Sequence, residues 1–206
     1  MRMNKAYTIG YVSYSLPEFI AVLKKYGIDA VADVRTVPYS RFRPDFNCGV
    51  LAEQLKAGEI LYVPLGKECG ARPDDQSCYV NGRVRFDFLA STGLFRNGIR
   101  RLKNGLERYC IGVMCAEQDP IQCHRYILVA RELSRQSPGL EVINILADGK
   151  TETMKETELR LLKKYGLDAD EIPGVGKSFP DRLGEAYAMQ GDKISYSINT
   201  EEKEKS

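Results

Sequence analysis

The sequence predicts an α/β fold: a mostly parallel sheet of about five strands with helices on both faces. Two observations lead there. Short apolar runs alternate with amphipathic stretches from residue 6 to about 165, and a β-α-β-α-β order implies parallel pairing through helical crossovers. The segment Ile28–Arg35 is also rich in Val, Ala and Ile, as suits a strand buried on both sides.

Each element has a local cause. Ala6–Val12 reads as the first strand. Ser15 caps the helix that follows, Pro17 suits its first turn and Glu18 completes a capping box. Phe19, Ile20, Leu23 and Tyr26 form its apolar face, and Gly27 ends it. Ile28–Arg35 is the second strand, and Thr36–Asn47, with two prolines, an irregular loop. Cys48–Ala57 reads as a helix with Val50, Leu51 and Leu55 inward, stopped by Gly58, and Ile60–Leu65 is the third strand. Gly66–Arg85 is a long polar excursion. Phe86–Gly105 is helical and split near Thr92-Gly93. Tyr109–Cys115 is the fourth strand, Cys123–Gln136 a helix burying Ile127, Leu128, Ala130 and Leu133, Glu141–Leu146 the fifth strand, and Glu152–Tyr165 a charged helix. After Gly166 the pattern fades. Ile172–Asp181 is irregular, Leu183–Met189 has the makings of a short helix, and the Glu/Lys-rich Asn199–Ser206 predicts a disordered tail. The expected organisation is one domain over residues 5–165 and a C-terminal appendage over 166–206.

Composition narrows the class. A chain of 206 residues, 43% apolar and 28% charged, can bury a core without metal or disulfides. No apolar run reaches the ~20 residues of a membrane helix, and Met1–Ala6 is too short and polar for a signal peptide. A cytoplasmic setting with reduced thiols is therefore expected. The net charge of +2 leaves affinity for phosphate or nucleic acid to a local patch.

Chemistry-bearing residues gather just past the strand ends, where α/β sheets bind ligands. The first strand leads to Tyr11, Ser13 and Tyr14. The second ends in Asp33 and Arg35 and is followed by Ser40 and Arg41. The fourth ends in Cys115-Ala116-Glu117 and leads to Cys123-His124-Arg125. A thiol near a helix start, a His and an Arg is biased toward thiolate and is activated as a nucleophile. Cys115 is the expected nucleophile, with His124 or Glu117 as proton carrier. Asp33, Arg35, Ser40, Arg41, Arg125 and Tyr11 are the expected ligand-binding set. The plainer reading is a strand-end network in which Arg125 pairs with Glu117 or Asp33. A Cys-phosphatase loop fails on spacing, because Cys115 and Arg125 stand ten positions apart. A zinc site from Cys115, Cys123 and His124, with Cys69 or Cys78 as fourth ligand, has no familiar spacing, so neither metal nor cofactor is expected. Arg35, Arg41 and Arg43, with Tyr39, Phe42 and Phe46 between and beyond them, suit a phosphate-bearing small molecule or nucleic acid. Oligomeric state is not encoded in any pattern.

The segments YTIGYVSYSLPEFIAVLKKYGIDAVADVRTVPYSRFRPDF, LGKECGAR, CAEQDPIQCHR and ILADGK resemble the domain of unknown function 488 family over about Tyr7 to Lys150. The resemblance implies a Rossmann-like three-layer fold, a bacterial or archaeal cytoplasmic protein and no established reaction. The family's shared polar residues fall on Asp33, Arg35, Ser40, Arg41, Cys115, Glu117, Cys123, His124 and Arg125. One departure stands out: the family's Gly-His-Ser after the first strand is Gly10-Tyr11-Val12-Ser13 here. Cys48, Cys69 and Cys78 are not family features. The leading expectation is an enzyme acting on an anionic ligand, the alternative a nucleic-acid-binding or repair-associated module without catalysis.

Overall fold

The computed structural model describes residues 5–168 and 177–198. In chain order the elements are β1 (Lys5–Gly10), α1 (Leu16–Lys25), β2 (Ala30–Asp33), α2 (Cys48–Ala57), β3 (Leu61–Pro64), α3 (Gly66–Cys69), β4 (Tyr79–Val80), β5 (Arg83–Val84), α4 (Phe86–Ser91), α5 (Gly93–Leu106), β6 (Ile111–Cys115), α6 (Arg131–Arg135), β7 (Glu141–Ile145), β8 (Thr151–Thr153), α7 (Met154–Lys164) and α8 (Phe179–Ile194). The main sheet has the order β3-β2-β6-β1-β7-β8. Its first five strands pair in parallel, and β8 closes the edge antiparallel to β7. The expected sheet of about five parallel strands is present, with β8 added at the start of what reads in sequence as one charged helix.

Local signals explain most boundaries. Ser15 accepts from the Glu18 amide and the Glu18 carboxylate reaches back to the Ser15 amide, so the capping box of α1 is complete. Thr92 caps α5 through the Phe95 amide, which is why the long helical stretch breaks there. Thr153 and Glu156 form a second capping box, and this cap starts α7 later than its periodicity suggests. In α2, Leu51 and Leu55 are buried while Val50 is exposed, contrary to expectation. One helical step turns Val50 about 100° away from Leu51.

The apolar side chains separate into two layers about the sheet. Tyr7, Ile9, Val31 and Met114 face Phe19 and Leu23 of α1 and Leu51 and Leu55 of α2. Ala32, Val34, Val113 and Cys115 face Phe95, Ile99 and Leu102 of α5, the segment Tyr126–Leu133, and Leu161 and Leu162 of α7. Ala186 and Tyr187 of α8 join that second layer. α8 runs sixteen residues, longer than the expected Leu183–Met189, because Ser178 caps it and Pro180 occupies its first turn. The tail from Asn199 and the first half of Ile172–Asp181 lie outside the described residues.

The connection after β6 differs from the single helix expected. Pro120–Gln122 is a 3₁₀ turn, Arg125–Ala130 is a π-helix and only Arg131–Arg135 is α. Insertions of this type recur at functional sites. The chain leaves β2 toward β3 and leaves β6 toward β7 on the other side of the sheet. Connections that diverge from neighbouring strands open a crevice at their carboxyl ends. Here that crevice lies between β2 and β6, with Asp33 opposite Met114.

Candidate active site

A cleft of about 530 Å³ occupies this crevice, lined among others by Tyr11, Arg35, Tyr39, Ser40, Arg72, Cys115, Glu117, His124 and Tyr196. A second depression of about 280 Å³, between α4, the π-helix and α8, has Arg85, Arg131 and Arg135 on its wall but neither thiol nor imidazole. The first cleft therefore holds the groups with chemistry to offer.

Its β2 side is a closed arrangement. The Asp33 carboxylate accepts from the Arg35 Nε at 2.9 Å, the Arg35 Nη2 at 2.6 Å, the Arg35 amide at 3.0 Å and the Tyr62 hydroxyl at 2.8 Å. Arg35 also donates to the Phe46 carbonyl at 2.9 Å and stacks 5.0 Å from the Tyr11 ring. Burial alone would disfavour the Arg35 charge, but the Asp33 partner outweighs it, so the guanidinium stays charged. Asp33 has no oxygen turned to the cleft for a ligand. Arg35 and Tyr11 present their outer faces to it, and Tyr11 is held by stacking on Phe46 at 4.3 Å.

The β6 side is built from sulfur and nitrogen. The His124 Nε2–H donates to the Val34 carbonyl at 3.0 Å, and this turns Nδ1 toward the Cys115 Sγ at 3.8 Å. The Cys123 Sγ shares a hydrogen bond with the Glu117 Oε2 at 2.8 Å, another with Cys115, and accepts from the Arg125 amide at 3.4 Å. Cys115, Cys123 and His124 are all buried. Their ligand-type atoms, two sulfurs and one ring nitrogen, lie within 4.8 Å of one another.

The two thiols titrate as a pair. Burial pushes Cys123 up. The hydrogen bond from Cys115 and the charges of Arg125 and His124 outweigh that, and Cys123 ends well below its ordinary value. Cys115, bonded to that sulfur and buried, is pushed well up. His124 would be lowered by burial, yet the Cys123 partner raises it overall. Burial and the Cys123 charge raise Glu117. The first proton leaves the cysteine pair readily and the second does not, and the charge rests mainly on Cys123 while Cys115 faces the cleft.

Arg125 does not pair with a carboxylate. Its fully buried guanidinium donates to the Glu117 carbonyl at 2.5 Å, the Gln118 carbonyl at 3.2 Å and the Thr8 hydroxyl at 3.4 Å. The expected pairing with the Glu117 carboxylate or Asp33 is thus replaced by bonds to main-chain oxygens, and Arg125 holds the loop from beneath. Thr8 continues this network through Asn144 and Thr157 to Glu152, and Arg160 joins Glu152 to Asp119 of the same loop. Nearby, a Cβ on Gly10 would sit 1.8 Å from the Glu117 carbonyl oxygen. Only glycine permits so close a crossing.

The remaining expected residues divide. Ser40 reaches the rim, where its hydroxyl accepts from the amides of Phe42 and Arg43. Arg41 is exposed and lies over the Phe42 ring at 5.5 Å, outside the cleft lining. Arg43 is a clip that donates to the carbonyls of Val12 and Tyr14. Cys69 and Cys78 lie outside the sulfur–nitrogen cluster, and burial pushes the Cys69 thiol up to about 12. Sequence reasoning missed Tyr196 and Ile194 on the cleft wall. They come from the end of α8, about 80 residues from Cys115, and no strand-end signal marks them.

The model of one protein family, described as domain of unknown function DUF488, matches residues 15–131. That span runs from the cap of α1 to the start of α6 and contains Asp33, Arg35, Ser40, Arg41, Cys115, Glu117, Cys123, His124 and Arg125, but not Tyr11. No curated protein and no solved structure matches the chain.

Proposed function

The chain belongs to the DUF488 family, and from that premise we propose that it is an enzyme acting on an anionic, phosphate-bearing or nucleotide-like ligand through a cysteine nucleophile. The observation that carries the reading is the Cys115 Sγ, 3.8 Å from the His124 Nδ1, with His124 oriented by the Val34 carbonyl at the floor of a cleft. Nucleophile, base and orienting acceptor form the relay that activates a weak nucleophile. Cys115 attacks the electrophilic centre of the ligand. The Cys115 proton passes to the Cys123 sulfur as the bond to the ligand forms, and the charged His124 gives its proton to the leaving group. Water or a second substrate then loses its proton to His124 and releases the sulfur-linked intermediate, and Cys115 recovers its proton from Cys123. Cys123 holds negative charge beside Cys115. Glu117, whose stem opens to the cleft wall while its carboxyl packs on the Cys123 sulfur, exchanges protons with solvent. Arg35, Arg72 and Tyr11 meet the ligand's charge and rings, while Arg125 shapes the loop. The setting is a reducing compartment, where the thiols stay free.

Alkylation of the reduced, chelator-treated chain by iodoacetamide, located by mass spectrometry, tests this. The cysteine pair loses its first proton readily, and transfer of the remaining proton to Cys123 places the charge on Cys115, the sulfur that lines the cleft. Cys115 should therefore react at neutral pH faster than a free model thiol, and His124→Asn should slow it at least tenfold. Reaction no faster than the model thiol, unchanged by that substitution, overturns the nucleophile.

A second reading has its own support. Tyr39 and Phe42 are 69% and 83% exposed beside the cleft, with Arg41 over Phe42, and such platforms suit single-stranded nucleic acid. That binding would weaken steeply as salt rises, whereas an enclosed phosphate pocket would respond less.

A further inference from the structure

We propose that Cys115, Cys123 and His124 form a binding site for a soft divalent cation of the zinc class, with Glu117 or a cleft water as fourth ligand. The proposal goes beyond the nucleophile reading and does not rest on it. Two thiols and an imidazole are the ligands that Zn²⁺ prefers, and Cys₂His with an open fourth position is an established coordination set. A tetrahedral ion with bonds of ~2.3 Å to sulfur and ~2.0 Å to nitrogen sets its ligand atoms roughly 3.5–3.8 Å apart. The Cys115 Sγ and His124 Nδ1 already stand 3.8 Å apart, and all three atoms lie within 4.8 Å of one another. Closing the widest separation takes about an ångström, within the reach of side-chain rotation.

The surroundings agree. A metal-bound imidazole usually donates its other N–H to a fixed acceptor, which sets the tautomer, and His124 does so to Val34 at 3.0 Å. The Arg125 amide donates to the Cys123 Sγ, which favours a thiolate ligand. The Glu117 Oε2, 2.8 Å from that sulfur, stands beside the fourth position, and the cleft opens on the same side. The spacing argument against zinc fails because Cys115 closes a strand while Cys123 and His124 open the next helix. The fold supplies the proximity that a Cys-x-x-Cys pair supplies in a zinc ribbon.

Ion binding and thiol chemistry exclude each other, since both use the Cys115 lone pair. On binding, the thiol protons pass to solvent, and the loaded site is a protected state. The test uses the full chain, reduced and stripped with chelator, titrated with Co²⁺ and then Zn²⁺. One Co²⁺ per chain should appear with intense tetrahedral visible bands and sulfur-to-cobalt charge transfer, and Zn²⁺ should displace it. Cys115→Ser and Cys123→Ser should each weaken Zn²⁺ binding at least a hundredfold, and Cys69→Ser should not. Saturating Zn²⁺ should suppress iodoacetamide labelling of Cys115. Octahedral Co²⁺ spectra without charge transfer, or charge transfer that survives both serine variants, overturns the site. The wild-type cobalt spectrum needs no variant to fold. A chain that alkylates fast but binds no metal keeps the nucleophile and loses this proposal, and the reverse outcome does the opposite.

Discussion

The two strand ends that frame the cleft solve the same problem in opposite ways. Both carry a buried arginine. At β2 the charge of Arg35 meets a carboxylate two residues away, and four donors saturate Asp33. At β6 the charge of Arg125 meets main-chain carbonyls, and the nearest anion is the cysteine pair. A pair closed on itself leaves little for a ligand to complete. An arginine spent on carbonyls leaves the sulfurs as the uncommitted partners. Reactivity therefore belongs to β6 and wall-building to β2.

The largest expected effect breaks the β6 side. Arg125→Ala leaves two carbonyls and the Thr8 hydroxyl without their donor and opens a cavity, and should destabilise the chain by about 3–5 kcal/mol in urea unfolding. Arg125→Lys should recover only part of this, because an ammonium lacks the planar fork. A loss near zero would mean that the loop is held by other contacts.

Asp33→Ala breaks the β2 side and strands Arg35 in a 6% exposed position. A loss of about 3 kcal/mol is expected, with alkylation of Cys115 essentially unchanged. Altered labelling would show that the two ends are coupled.

Glu117→Gln sharpens the contrast through pH. Because burial and Cys123 hold the Glu117 carboxyl above its ordinary value, the folded chain keeps a proton that the unfolded chain releases. That stabilisation is complete below the unfolded pKa and is lost as pH rises through the folded one. Glutamine removes the titration, so unfolding free energy plotted against pH should flatten on the mildly acidic side. Parallel curves for the two proteins would refute the assignment. The smallest effect belongs to Arg41→Ala, within about 0.5 kcal/mol as for other exposed positions, checked in the same unfolding series.

Much of this frame was legible in the residues. Caps, apolar faces and the run of strands announced the sheet, and the rule that ligands sit at strand carboxyl ends brought Arg35, Cys115 and His124 to one cleft. What a guanidinium binds was not legible. Arg35, Arg41, Arg43 and Arg125 look alike in sequence, but they pair with a carboxylate, an aromatic ring, two loop carbonyls and the floor of the thiol loop respectively. Backbone acceptors have no letter of their own. The same blindness hid Cys123 as the acidic thiol, since the Cys115 hydrogen bond and the Arg125 and His124 charges that overcome its burial converge on it only in the fold. It also hid Tyr196, whose arrival depends on the path of α8.

The π-helix after His124 sets a rule about chain length. Such a turn holds one more residue than an α turn over the same rise. Deleting any single residue between Arg125 and Ala130 would let the helix relax to α geometry. The α turn left behind spans the same rise, so His124 before it and α6 after it keep their phase, and such a deletion should fold with its imidazole still facing the sulfurs. A deletion within Arg131–Arg135 has no spare residue to give up and turns the two sides against each other by about 100° and 1.5 Å. At the mouth of the site the helix carries one residue more than its register needs.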